Sequence, residues 1–246
     1  MKAPDFSGFA EQYARSRPRY PPALYARLAS YLDRYELVWD CATGSGQAAI
    51  GPVEHFERMI ATDVSPAQLR HAVRHSRIAY TAARSERPPL SDSSVDLVTV
   101  AAALHWFQLD DFYTEVRRVI RAGNVLAAWT YHVCHVEPPF DRVFQRFYRD
   151  VVSPCFPEGG RLVDDRYETI ALPGDPLPTE RFHAAPEWNL DEMLAFITSW
   201  SGTQTYIEAH GADPVEALAA ELEAIWGERE RVRTVRWPLY LLASRP

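Results

Sequence analysis

The sequence lacks what marks membrane, secreted and nucleic-acid-coating proteins. No run among its 246 residues approaches the ~18 apolar residues of a membrane-spanning helix. Behind Lys2, in the opening Met1-Lys2-Ala3-Pro4-Asp5, there is no apolar stretch of the kind a secretory leader needs. Cysteine is scarce, and Cys41, Cys134 and Cys155 are odd in number and far apart. That excludes a disulfide framework or a cysteine-based zinc site and fits reduced thiols in a soluble, cytoplasmic protein. Positive charge is outnumbered, with 26 Lys and Arg against 33 Asp and Glu and a net charge of −7. A nucleic-acid coat needs the opposite balance, so neither nucleic acid nor membrane is expected as a partner. There are no repeats or low-complexity segments. A serine elbow, a catalytic carboxylate pair and a cysteine nucleophile are all missing from any recognisable frame. His71 and His75 stand i, i+4, but no third ligand lies near them, so they read as surface histidines and no metal is expected.

What is present is an alternation of strands and helices. Pro22 suits the first position of a helix whose apolar face is Leu24, Leu28 and Leu32. Leu37-Val38-Trp39 is a short buried strand running into a glycine turn. Met59 to Thr62 is a second strand ending on Asp63, and Ser65-Pro66 caps and opens the next helix. Ile78 to Ala82 and Val95 to Ala103 are a third and a fourth strand, the fourth apolar enough to be covered on both faces. Asp110-Asp111 opens a helix with Phe112, Val116, Val119 and Ile120 on one face. Gly123 is expected to end it before a fifth strand, Val125 to Trp129. This alternation predicts a parallel sheet with right-handed crossovers.

The second half reads as three helical stripes. They are Phe140/Val143/Phe144/Phe147/Val151, Leu190/Met193/Leu194/Ile197/Trp200 and Val215/Leu218/Leu222/Ile225/Trp226. Asp213, Pro214 and Gly227 punctuate the last, and Glu216 is expected to close a capping box. Val235, Trp237, Leu239 and Leu241 alternate as a final strand, with Pro238 marking an edge-like position. The stretch from Ser153 to Pro186 reads as a long irregular loop wrapping the surface.

The sharpest chemical signal is Asp40-Cys41-Ala42-Thr43-Gly44-Ser45-Gly46 followed by Asp63. Glycines after a strand let the backbone approach a ligand, and an acid at the end of the next strand suits ribose hydroxyls. Gly44-Ser45-Gly46-Gln47-Ala48-Ala49 is compatible with a dinucleotide fingerprint. Asp40 opposes it, because an acid beside the turn repels a pyrophosphate and welcomes an amino group. An α-amino group, a cationic centre and an adenosine together describe S-adenosylmethionine.

On these residues the chain resembles the class I S-adenosylmethionine-dependent methyltransferases of type 11, in the branch of trans-aconitate and quinone-biosynthesis methyltransferases. Asp40 through Gly46 resembles the family's acid-then-glycine loop, with Ala42 in place of its first glycine. Ala61-Thr62-Asp63-Val64-Ser65 is similar to its ribose segment, and Ser85-Glu86 stands where the family meets the adenine. Ala103-Leu104-His105-Trp106-Phe107 resembles the branch's segment after the fourth strand, and Tyr13…Arg17-Pro18-x-Tyr20-Pro21 its N-terminal motif. The resemblance implies a Rossmann-like, doubly wound, seven-stranded and mostly parallel α/β sheet with a helical lid insertion. One domain over 1–246 would comprise an N-terminal helical segment (1–35), a cofactor core (36–130) and a part carrying lid helices and two last strands (131–246).

It further implies that S-adenosylmethionine is held by Tyr13, Arg17, Tyr20, Asp40, Ala42, Thr43, Gly44, Gly46, Asp63, Val64, Ser85, Glu86, Ala102 and His105. His105 is a candidate general base, and Trp106 a candidate for packing on cofactor or acceptor. His132 and His135 read as ordinary loop histidines. Among the basic residues, Arg161 or one of Arg229, Arg231, Arg233 and Arg236 is a candidate fork for an acceptor carboxylate. The expected reaction is methyl transfer to a small molecule, with a carboxylic oxygen favoured and carbon methylation of a quinone-like or polyketide-like ring as the alternative. Two other classes stay open at this point, an NAD-dependent oxidoreductase and a cofactor-binding protein without turnover. No feature specifies an oligomeric state.

Overall fold

A computed structural model describes residues 17–246. Five strands, β1 (Leu37–Cys41), β2 (Arg58–Asp63), β3 (Ile78–Ala82), β4 (Val95–Ala101) and β5 (Ile120–Tyr131), come from the first half. The second half adds β6 (Asp175–Pro176), β7 (Phe182–Ala184), β8 (Glu187–Trp188), β9 (Arg233–Thr234) and β10 (Trp237–Arg245). The main sheet runs β3-β2-β1-β4-β5-β10-β6, with β7 also paired to β10 and β8–β9 forming a separate ribbon. The first five strands are parallel, while β10 runs antiparallel to β5. This is the expected seven-stranded, mostly parallel sheet. The strand order reverses between β1 and β4, and open α/β sheets bind ligands at the carboxyl side of such a switch point.

Position in the sheet explains the character of each strand. Pinned between β1 and β5, β4 is buried at six of its seven positions, which is why its sequence is mostly apolar, with only Asp96 and Thr99 as polar side chains. At the outer edge β3 has no buried residue, and its sequence signal is correspondingly weak. In β10, Pro238 pairs with β7, and pairing with β5 begins one residue later, so the missing N–H disturbs no central ladder.

Helices cover both faces: α1 (Pro22–Ala29), α2 (Pro66–Arg70), α3 (Leu109–Val119), α4 (Pro138–Phe147), α5 (Gly160–Asp164), α6 (Leu190–Thr198), α7 (Ser201–His210) and α8 (Pro214–Trp226). Ser65 caps α2 as expected by accepting the Gln68 amide. One core joins α1 and the later helices to Val38 and Trp129, and the other joins Phe112, Val116 and Val119 of α3 to Trp39 and Val98.

Several local expectations are corrected. Gly123 does not end α3: the helix stops at Val119, and Gly123 lies within β5 at φ 80°. Val95 pairs with Ile120 but Leu97 with Val125, so the extra residues of β5 bulge out around that glycine. The strand–helix alternation puts a helix after the glycine turn, and none forms there. Residues 47–51 form turns, and Pro52, with no N–H to donate, starts a short 3₁₀ segment. Glu216 closes no capping box, since Asp213 alone accepts the Val215 amide. The reciprocal box forms on α6, where Asn189 and Glu192 exchange bonds of 2.9 Å. The 153–186 stretch is not merely irregular, because it supplies α5, β6 and β7.

The second-half helices are tied to the sheet through aromatic rings. Trp237 on β10 is fully buried, its ring centroid 4.9 Å from Phe196, 5.6 Å from Tyr131 and 6.2 Å from Trp200. Trp237→Ala is expected to cost about 3–5 kcal/mol, read as a lowered urea midpoint. A loss under about 1 kcal/mol would show that these rings do not fasten the helices.

Candidate functional site

The chain leaves β1 at Cys41 and turns through three left-handed residues, Ala42 (φ 55°), Gly44 (φ 58°) and Gly46 (φ 84°). Such angles are natural for glycine and strained for alanine by about 1–2 kcal/mol. At Gly46 space matters as well, since an added Cβ would lie 2.5 Å from the Tyr80 hydroxyl. The Thr43 amide donates to the Thr62 carbonyl at 2.9 Å, and the Gly44 amide donates to Asp63 Oδ2 at 2.8 Å. The loop is thereby tied to the end of β2. Asp63 Oδ1 accepts the Ser65 amide at 2.8 Å, so one carboxylate joins the glycine turn to the cap of α2.

Beneath the loop lies Asp40, fully buried. Its oxygens accept from the Thr43 hydroxyl at 2.5 Å and from the Thr99 hydroxyl of β4 at 2.6 Å. Burial pushes its pKa up to about 6, against the pull of the two hydroxyls, and the nearby Asp63 charge adds to the rise. Asp63 is also raised by burial, with the Ser65, Gly44 and Val64 amides opposing. Two carboxylates kept close in a poorly solvated place lack a cation among the described residues, since neither forms an ion pair there. Val64, beside them, is 65% exposed, a hydrophobic side chain at the rim.

Other expected residues gather along the same edge. After β3, the Ser85 hydroxyl donates to Glu86 at 3.0 Å and Arg84 pairs with the same carboxylate at 3.2 Å. After β4, Ala102 is left-handed at φ 50° and its amide donates to the Trp129 carbonyl of β5. His105 and Trp106 follow on a short 3₁₀ turn with ring centroids 4.5 Å apart. His105 Nδ1 lies 2.7 Å from the Tyr167 hydroxyl, and burial drives its pKa down to about 3, so the ring is neutral at physiological pH. Trp106 is partly buried and packs against the core on the α3 face of the sheet. Tyr20 stands edge-on to Trp129 at 5.3 Å, while Arg17 donates to the Tyr131 hydroxyl and lies over Phe196. Tyr13 lies outside the described residues.

Sequence reasoning missed some participants. Thr99 was legible, as the lone hydroxyl inside the apolar run of β4. Tyr167 and Asp164 were not, because α5 lay hidden in the supposed loop. His132 is more than a loop histidine: its Nε2 lies 3.4 Å from Asp164 Oδ1, and its ring stands edge-on to Tyr148 at 5.1 Å. Among the arginines, Arg229 is committed to Asp191 and Glu223, and Arg233 to Glu137. The described residues contain no cluster of three or more His, Cys, Asp or Glu fit to hold a metal. No helix in them is long and apolar enough to cross a membrane.

Residues 39–128 match the methyltransferase domain family. A protein named as a methyltransferase in Dictyostelium discoideum is 27% identical over 249 residues, covering 98% of this chain and 94% of the relative. An uncharacterized methyltransferase of Mycobacterium tuberculosis is 35% identical over 124 residues, 49% of each chain. Among solved structures, a type II methyltransferase so named from Anaeromyxobacter dehalogenans superposes with a TM-score of 0.85 at 38% identity. That superposition covers 93% of this chain and 97% of the other.

The strained alanine and the buried acid each generate a prediction. Ala42→Gly is expected to raise stability by about 0.5–1 kcal/mol by relieving the left-handed alanine; an unchanged or lowered melting temperature would contradict that strain. The pH sign follows from the raised pKa of Asp40. Its contribution favours the fold below the ordinary 3.8 and is lost as pH rises through about 6. A cationic ligand group prefers the ionised form, so calorimetric affinity for S-adenosylmethionine should fall, by up to tenfold per unit, as pH drops below about 6. Affinity that is flat between pH 5 and 8 would contradict this coupling.

Proposed function

The chain belongs to the class I S-adenosylmethionine-dependent methyltransferases, and from that premise we propose that it methylates an oxygen of a small organic acceptor, within the trans-aconitate and quinone-biosynthesis branch. The observation that carries the reading is the pair of carboxylates at the left-handed loop, Asp63 at its edge and Asp40 beneath it. This donor set fits the cofactor. Asp63 has lone pairs left for ribose hydroxyls after taking two amides. The charge of Asp40 favours an ammonium near Thr43 and Gly44. Val64 and the Ser85-Glu86 pair offer an apolar rim and a polar edge to the adenine, and Gly46 keeps the loop thin. Arg17 and Tyr20 beside β5, and Ala102 and His105 after β4, are assigned to the same site together with Tyr13, the last by resemblance alone.

The bound cofactor supplies a methyl group already activated on a sulfonium. What the protein adds is alignment and exclusion of water, and positioning contributes about 7–11 kcal/mol in well-oriented reactions. Trp106 and the neutral His105 ring form an apolar wall suited to that task. The oxidoreductase reading loses support, because no helix begins after the glycine turn to meet a pyrophosphate with its amides. A protein that binds the cofactor without turnover would bind normally and methylate nothing.

The acceptor is a small molecule held under the second-half helices. A carboxylic oxygen, favoured on sequence grounds, needs a cation, and Arg17 lies beside Tyr131 and over Phe196. A hydroxyl is the second reading, favoured by the His132–Asp164 pair. Carbon methylation of a quinone-like or polyketide-like ring is the remaining alternative, and it too needs a base for the ring proton.

Asp63→Ala removes the charged acceptor and frees the Gly44 amide, a loss of about 1.5–3 kcal/mol. Calorimetry on the folded variant should show S-adenosylmethionine binding weakened roughly ten- to hundredfold. An unchanged Kd would remove the ribose assignment.

A further inference from the structure

Where β5 ends, His132 meets α5 and the segment after α4. Its Nε2 lies 3.4 Å from Asp164 Oδ1. The same carboxylate accepts the Tyr148 hydroxyl on Oδ1 at 2.5 Å and the Ser153 hydroxyl on Oδ2 at 2.9 Å. Burial acts against the Asp164 charge, but the donors from His132, Tyr148 and Ser153 outweigh it and hold the carboxyl below its ordinary range. Asp164 is therefore an anchored anion, with donors fixing its direction. Facing Nε2, it selects the tautomer with the proton on that nitrogen. Nδ1 is then a lone pair, and it has no partner among the described residues. The side chain is 19% exposed, open enough for a small molecule to reach.

The lid piece that supplies Asp164 also touches the other candidate histidine. Gly159 sits so close to the His105 carbonyl that an added Cβ would lie 2.4 Å from it, and the Tyr167 hydroxyl meets His105 Nδ1. Residues 159–167 thus bridge the carboxyl ends of β4 and β5, next to the switch point. The two histidines differ in what holds them. His105 has a phenol for a partner and is held neutral, whereas His132 has a fixed carboxylate able to stabilise a positive ring. The ionisable groups facing His132 are Asp164 from α5 and Tyr148 from the segment after α4. No Lys or Arg pairs with Asp164 among the described residues, so its charge is not already spent.

We propose that His132, oriented by Asp164, takes the proton from a hydroxyl-bearing methyl acceptor, which makes the substrate class a phenol or enol. This deepens the proposed methyl transfer and rests on it. The acceptor O–H bond breaks and its proton goes to His132 Nδ1. The oxygen electron pair forms the new C–O bond as the C–S bond breaks with its electrons going to sulfur. The products are a methyl ether, S-adenosylhomocysteine and an imidazolium facing Asp164. His132 is the catalytic residue and Asp164 the positioning residue.

The test has one arm that needs no acceptor. Nitrogen-15 NMR of the full chain labelled at histidine, with S-adenosylhomocysteine bound, should show neutral His132 protonated on Nε2. Asp164→Asn should lose that preference, and a wild-type ring protonated on Nδ1 overturns the proposal. The second arm is a panel of small phenols, 1,3-dicarbonyl enols and carboxylic acids. His132→Gln should lower kcat/KM on phenols and enols roughly 10²–10⁴-fold while leaving the S-adenosylmethionine Kd within twofold. At saturating cofactor, His132→Gln should lower kcat on phenols and enols, and Asp164→Asn should lower it less. Methylation confined to carboxylic acids, or undiminished turnover of phenols by His132→Gln, overturns the proposal but leaves methyl transfer standing. Normal cofactor binding with no acceptor methylated counts against methyl transfer itself, and the tautomer then decides the role of His132.

Discussion

The bond from the Gly44 amide to the Asp63 carboxylate is the constraint on which the site depends. A loop with three left-handed residues in five has little preference for one shape, and an unpaired amide at its centre would leave it free to collapse. Asp63 fixes it by reaching across from the neighbouring strand and taking the Ser65 amide with its other oxygen. This works only because β1 and β2 are adjacent, parallel and in register, so that Cys41 lies beside Thr62. Sheet topology thus becomes site geometry through one carboxylate. Asp40 extends the same logic to β4 through the Thr99 hydroxyl. The cost is a pair of poorly solvated acids, which a cationic ligand relieves.

The second half of the chain is fastened by a different principle. The second-half helices are held to β5 and β10 mostly by aromatic rings, with Trp237, Phe196, Trp200 and Tyr131 at the centre. Ring contacts are individually modest, about 0.5–1.5 kcal/mol beyond their burial, but together, with Trp237 and Phe196 fully buried, they form a core that holds the second-half helices on the sheet. Polar groups stand at the margin of that core at few points: Arg17 lies over Phe196, and His132, paired with Asp164, stands edge-on to Tyr148. The division suits a reaction in which one side must hold a highly polar cofactor and the other must keep water from the transferring methyl group.

The proposed cofactor side was legible in the sequence because its signals are local. A short apolar strand, an acid, paired glycines and a second acid after the next strand lie within about thirty residues, and periodicity placed each element close to where it stands. The expectations that failed are those in which tertiary structure overrode a local sign. Gly123 looked like a helix stop, yet the extra residues between Val95 and Leu97 pairings needed it inside a strand. Glu216 had the spacing for a capping box that formed on α6 instead. The proposed acceptor side was opaque because its partners are distant and their short elements carry no periodicity. Asp164 meets His132 from across the chain, on a five-residue helix in a proline-rich stretch. Ala42 is intermediate: its departure from glycine was visible, but its left-handed angle was not.

Amide hydrogen exchange tests most directly the claim that this loop is the cofactor cradle. Addition of S-adenosylmethionine should slow exchange across residues 42–46 and 63–65, with weaker protection after β4, while NAD should leave these amides unchanged. Protection of the same amides by NAD, or S-adenosylmethionine protection confined to some other part of the sheet, would contradict the account.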